Sequence, residues 1–183
     1  RFDCKNKNVY VFRRNGTALK VKWGEIFFTL GRCERMAGRQ NWDIRGHILD
    51  KDGETVRETF ALPGDTMLVD QLKHSWEFIR RYMEEGPASV YRDVYWCHDI
   101  AERREKYKVG LRYMFFSLNG QPIGQILLSP VFLVASLGRW FAMRTSKIPV
   151  WPAEIEAACQ VDPFDPYLRD ASRNPEKIPM EPM

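Results

Sequence analysis

Histidine and cysteine, the usual zinc ligands, number three and four in these 183 residues, and none stands at a metal-binding spacing. Cys4, Cys33, Cys97 and Cys159 form no C-x-x-C pair, which excludes the common zinc and dithiol motifs and leaves reduced thiols in a cytoplasmic compartment as the expectation. G-x-S-x-G, G-x-G-x-x-G and the phosphate loop are also missing. Ser75, Ser117 and Ser129 lie in no recognisable nucleophile context, so hydrolase and nucleotide-binding chemistry have no foothold. Charge of one sign is scarce too: 28 basic against 24 acidic residues give +4, spread along the chain, which is thin for a nucleic-acid binder. Basic residues do interleave with aromatics in Tyr10–Arg14 and Lys20–Trp23, but a strand that buries its rings and turns its charges to water has the same pattern. We therefore expect no enzymatic activity, no cofactor, no metal and no nucleic-acid partner.

An uninterrupted apolar run of the roughly 20 residues that a membrane span needs is lacking as well. The most apolar stretch is Ile126–Met143, ILLSPVFLVASLGRWFAM, and Pro130 and Arg139 break it. The expectation is a largely buried helix of a soluble chain, bent at Pro130 or accommodating it, with a membrane-facing or partner-docking helix as the alternative.

What is present reads as α+β. Asn8–Arg14, Ala18–Trp23, Glu25–Leu30, Trp42–Leu49 and Thr55–Leu62 are rich in aromatic and β-branched residues and partly alternate in polarity, as half-buried strands do. Asn15-Gly16 and Lys51-Asp52-Gly53 between them are hairpin turns, and Arg32–Asn41 is a longer polar connection. Pro63–Thr66 breaks the pattern and supplies a cap. A helix should follow, placing Leu68, Leu72, Trp76, Ile79 and Met83 on one buried face and ending at Gly86-Pro87. Ala88–Lys108 is expected to be helical, Leu111–Leu118 a strand or the start of the second apolar helix, and Ala153–Gln160 a helix led by Pro152. The organisation is then an antiparallel meander closed by an amphipathic helix over residues 1–86, a helical half over 87–171, and an extended proline-bearing tail over 172–183.

Two groups of residues could carry function. His98 stands between Cys97 and Asp99 and would share a helix face with Glu102, half of a metal site or an acid–base pair, but no third ligand accompanies it. A surface or hydrogen-bonded histidine is the plainer expectation. Asp43, Arg45 and His47 alternate along one strand and so project to one side of the sheet. We take them, with Arg139, Arg144 and Trp151, as the expected partner-binding residues, because arginine and aromatic side chains dominate interface energetics.

Several segments together resemble a known family: Arg1-Phe2-Asp3 followed by Val9–Arg13, Trp23-x-Glu25-Ile26, Trp42–Gly46, Gly138-Arg139-Trp140, Trp151–Glu154 and Asp162–Tyr167. They are similar to an uncharacterised proteobacterial family encoded beside type VI secretion effector genes, usually with N-terminal membrane helices. The resemblance implies a membrane-anchored protein whose soluble part lies at the cytoplasmic face of the inner membrane. There it would bind a cognate secreted effector, as an immunity or accessory protein, with the membrane surface as a further contact. A start at Arg1, with neither Met nor a signal-peptide pattern, fits an anchor that lies upstream. One alternative is a lipid-binding module, since a meander with a closing helix resembles a pleckstrin-like scaffold and Arg139, Arg144 and Lys147 suit anionic headgroups. Another is a toxin domain with its active site around His98.

Overall fold

The computed structural model describes residues 1–13, 15–34, 40–97, 106–116, 118, 121–146 and 150–175, without the side chains of Glu34 and Phe116. The chain is α+β. It divides into two compact units, Arg1–Asp93 with Trp151–Tyr167, and Val94–Val150 with Leu168–Met183.

In the first unit the strands form two antiparallel three-stranded sheets, each ordered as in the sequence. One contains β1 (Phe2–Asp3), β2 (Asn8–Phe12) and β3 (Ala18–Lys22); the other contains β4 (Ile26–Glu34), β5 (Gln40–Leu49) and β6 (Val56–Ala61). The turns form where the sequence marks them: Gly16 and Gly53 take φ of +84° and +72°, and Asp52 Oδ1 accepts from the amides of Glu54 and Thr55. The meander is divided between β3 and β4 by a 3₁₀ turn at Trp23–Glu25. The polar connection expected over Arg32–Asn41 is shorter than that range. The β4–β5 ladder runs on to Cys33↔Asn41 and Glu34↔Gln40, since polar residues can extend a strand wherever its end faces water.

Helix α1 (Val69–Glu85) packs on the sheets through Leu72 and Met83, which are buried, and Trp76 and Ile79, which are half-buried. Met83 joins Val9, Val21 and Ile26 in one core cluster, and Leu72 joins Ile44 and Leu62 in the other. Each such buried side chain contributes about 1.5–3 kcal/mol. The rings of Trp23, Phe28 and Trp76 lie 4.7–5.7 Å apart across these clusters. Leu68, expected on the buried face, is 59% exposed: it precedes the first helical turn in extended conformation, so the helical period does not carry it inward. Gly86 ends α1 at φ +92° and Pro87 opens the short α2 (Pro87–Val90).

The division of the chain departs from the expected 1–86 and 87–171. The segment Trp151–Tyr167, with α5 (Ala153–Ala158), belongs to the first unit. The Trp151 ring packs edge-on against Phe12 at 5.6 Å, Ile155 is buried, and Glu156 holds Arg1 by two hydrogen bonds of 2.8 Å. Among the described residues of Ala88–Lys108, those of α2 and those from Tyr107 onward are helical and residues 91–97 form a turn and irregular chain; 98–105 lie outside the described residues. The second unit is built on α3 (Tyr107–Phe116) and α4 (Pro122–Thr145). Phe115 meets Phe132 at 5.2 Å near the end of α3, and Tyr107 meets Ser136 at 3.1 Å near its start, so the two helices run in opposite directions. The beginning of the expected tail is tied down: Asn174 and Cys97 exchange hydrogen bonds of 2.6 and 2.8 Å, and Ala171–Arg173 forms a 3₁₀ turn capped by Asp170. Residues 176–183 lie outside the described residues.

Candidate functional site

Asp43, Arg45 and His47 do share one face of β5, as alternation requires. Their hydrogen-bonding capacity is turned on the sheet itself. The Arg45 guanidinium donates to Asp43 Oδ1 at 2.9 Å and to the Arg32 carbonyl at 2.6 Å. It reaches that carbonyl by lying across Gly31, where a Cβ would stand 2.2 Å from Arg45 Nε; only glycine leaves the space. His47 meets Thr29 Oγ1 through Nε2 and Thr59 Oγ1 through Nδ1, both at 2.8 Å, a polar ladder across three strands. Asp43 is buried under its partner. These contacts tie neighbouring strands together, and the Arg45 side chain keeps 35% of its surface exposed. Among the described residues no three potential ligands converge on a metal position.

The other expected anchors stand on other segments of the chain. Trp151 is taken up by Phe12 and by the Arg1 guanidinium, 5.2 Å from its ring centre. Arg139 and Arg144 lie on α4, Arg139 over the Tyr113 ring at 4.8 Å and Arg144 over Trp140 at 4.0 Å. His98, Asp99, Glu102 and Lys147 fall outside the described residues.

Two surfaces stand out that residue types alone did not mark. The first is a cleft of about 260 Å³ between β4 and the first half of α1, walled by Phe28, Leu30, Ile44, Leu72, Lys73 and Trp76. The second is α4. The expectation of a buried helix fails here: of its most apolar 18-residue window only 6% is buried. Ile123 is 81% exposed, Leu127 76%, Val134 71% and Phe141 63%, and these four lie along one side of the helix. The side that meets α3 carries Gln125, Phe132 and Ser136 and is the more polar one. That is the reverse of a surface helix in water, where the apolar stripe faces inward. Periodicity alone did not separate the two sides, since apolar residues occupy both.

Pro130 does not interrupt α4. Its missing N–H would orphan the Ile126 carbonyl, and Ser129 Oγ donates to that oxygen at 2.8 Å. Ser136 Oγ and Thr145 Oγ1 likewise donate to carbonyls one turn back, at 2.8 and 3.0 Å. With 24 residues the helix is long and apolar enough to cross a membrane, which corrects the impression left by its interrupted run. Its rise of about 36 Å exceeds the ~30 Å of a bilayer's hydrocarbon.

The chain belongs to the family of unknown function DUF6708, whose model matches residues 1–163, a span that includes every strand and α1–α5. No curated protein and no solved structure matches it.

Proposed function

We propose that this member of the DUF6708 family is a membrane-associated, non-enzymatic binding protein, in which α4 contacts lipid and the first unit recognises a protein partner. The outward apolar side of α4 carries the reading. From Ile123 to Phe141 it offers nine exposed large apolar side chains, whose transfer from water to hydrocarbon would contribute on the order of 10 kcal/mol. Gln125, Ser129, Ser136 and Thr145 of the helix each donate to a backbone carbonyl of the protein, as a lipid environment favours. The cations favour one end: Pro122–Gly138 carries no charge, and Arg139 and Arg144 follow beside Tyr113 and Trp140, as in the aromatic and basic belts at membrane–water interfaces.

The resemblance supplies the partner and the place: a cognate type VI secretion effector, met at the cytoplasmic face of the inner membrane by an immunity or accessory protein. Co-expression with the product of the neighbouring gene tests that part. Cells should survive a toxin that kills them when this chain is absent, and equal killing with and without it would remove the effector from the proposal.

Flotation tests the membrane reading. The purified chain should rise through a density gradient with phosphatidylcholine vesicles, and Leu127→Glu with Val134→Glu should leave it at the bottom. A chain that never floats, or a double variant that floats as well as the parent, contradicts the reading.

A further inference from the structure

We propose that the outer edge of β4 and the cleft beside it take up an extended peptide segment of the partner protein as an added strand. An apolar side chain of that segment would sit in the cleft, and an acidic side chain two positions away would face Arg32.

The hydrogen bonds establish which groups of β4 are offered. Leu62 N–H donates to the Ile44 carbonyl, and Trp42 exchanges hydrogen bonds with Thr66, so the even-numbered residues of β5 point their backbone groups away from β4. Leu30 stands opposite Ile44 and Phe28 opposite Gly46, which makes both non-hydrogen-bonded pairs. The amides and carbonyls of Phe28 and Leu30 therefore point outward, and among the described residues no strand pairs with them. The row is closed at both ends. Ile26 N–H is taken by the Trp23 carbonyl, and the Arg32 carbonyl by Arg45.

The two edges of this sheet differ. Against β6, β5 shifts register at Ile48/Leu49, and the Arg13–Glu58 ion pair stands on β6. β4 pairs with β5 over nine positions without a shift, contains no proline and leaves Leu30 46% exposed. A flat exposed edge of this kind is a template for another strand unless a partner covers it.

A strand added here turns alternate side chains toward α1, into the cleft walled by Phe28, Leu30, Leu72 and Trp76. The next side chain on the same face, two residues along, meets Arg32, whose guanidinium is stacked on Trp42 at 4.9 Å. Lys73, which lines the cleft, is paired with Asp70, and Arg45 with Asp43, so among the described residues Arg32 is the cation beside the edge without a carboxylate partner. The segment that fits is thus extended, with an aromatic or leucine anchor and a carboxylate two positions from it.

Peptide capture would be how the first unit, read as the partner-binding part, engages its partner. A chain that floats with vesicles yet takes up no such peptide overturns the groove and leaves membrane association standing. The test uses fluorescein-labelled decapeptides with a threonine–serine–valine background, Phe at the fifth position and Glu at the seventh, titrated against the full chain by fluorescence anisotropy. Binding should weaken about tenfold or more when Phe becomes Ala, when Glu becomes Lys, or when the peptide backbone is N-methylated at alternate residues. The amides of Phe28 and Leu30 should gain protection from hydrogen exchange. Arg32→Glu should recover binding to the Lys peptide. Leu30→Pro removes an outward N–H without touching the β5 ladder and should abolish uptake. If that variant does not fold, the N-methylated peptide decides the matter on the unaltered chain. Failure of every Phe–x–Glu peptide to bind, indifference to N-methylation, or equal competition by N-acetyl-phenylalaninamide would each overturn strand addition.

Discussion

Truncating Met83 should cost more than truncating Leu72, although both are buried on the same side of α1. Met83 has no exposed surface and lies under Val9, Val21 and Ile26, so Met83→Ala leaves a closed void and loses both the transfer energy of the removed atoms and the contacts around the void. Leu72 is 6% exposed and lines two surface hollows, the cleft at β4 and another beside Leu62 and Ile79. The space it vacates opens to water, and most of the cavity cost is absent. From the range for large-to-small core substitutions, we expect about 3–5 kcal/mol for Met83→Ala and about 2–3 kcal/mol for Leu72→Ala. The assay is equilibrium urea unfolding followed by tryptophan fluorescence, since Trp23 and Trp76 stack at 5.7 Å between the two clusters. The slope of stability against urea should stay unchanged, so that a shift in midpoint reports stability. Leu72→Ala costing as much as Met83→Ala would refute the distinction between a closed void and an open cleft, and no loss in either would refute the packing of α1.

Other outcomes follow from single contacts. Gly31→Ala should cost about 1–3 kcal/mol, because its methyl displaces Arg45 and strands the buried Asp43. Arg45→Ala added to that variant should cost little more, and full additivity in thermal melts would show that the two act separately. The hydrogen bond from Arg13 holds the Glu58 carboxyl below its ordinary 4.5, so its share of stability is present above that value and is lost as pH falls through the lower folded one. Acid unfolding of Glu58→Gln should accordingly show a shallower decline below about pH 4.5, and an unchanged slope would mean that the ion pair does not form in solution. His98→Ala with Asp99→Ala should still protect cells from the neighbouring toxin; loss of protection by a folded, well-expressed variant would give the cluster around His98 a functional role.

Local chemistry was legible wherever one residue type decides the backbone. Gly16, Gly53 and Gly86 mark their turns and the end of α1 because left-handed φ admits little else, and Leu72, Trp76, Ile79 and Met83 trace a helical face that does pack. Leu68 was misplaced because periodicity does not say where a helix begins. The ion pair across Gly31 could not be read, since it depends on register between strands. Nor could the cleft at β4, which needs α1 laid over the sheet. α4 was misread for another reason: an apolar helix packs into a core or faces lipid with the same composition, and only the tertiary structure shows which side is covered. Polarity did place Asp43, Arg45 and His47 on one face, but the hydrogen bonds they make, Arg45 to Asp43 and His47 with Thr29 and Thr59 of the neighbouring strands, are invisible in one dimension.

The most direct measurement is a nitroxide scan of α4 from Ile123 to Phe141, in a background with the four cysteines replaced, recording oxygen accessibility in phosphatidylcholine vesicles. The membrane reading expects accessibility to oscillate with the helical period of about 3.6 residues, high at positions 123, 127, 134 and 141 and low at 125, 132 and 136. A flat profile, or accessibility to a water-soluble relaxation agent at the first four positions equal to that of the chain free in buffer, would contradict it.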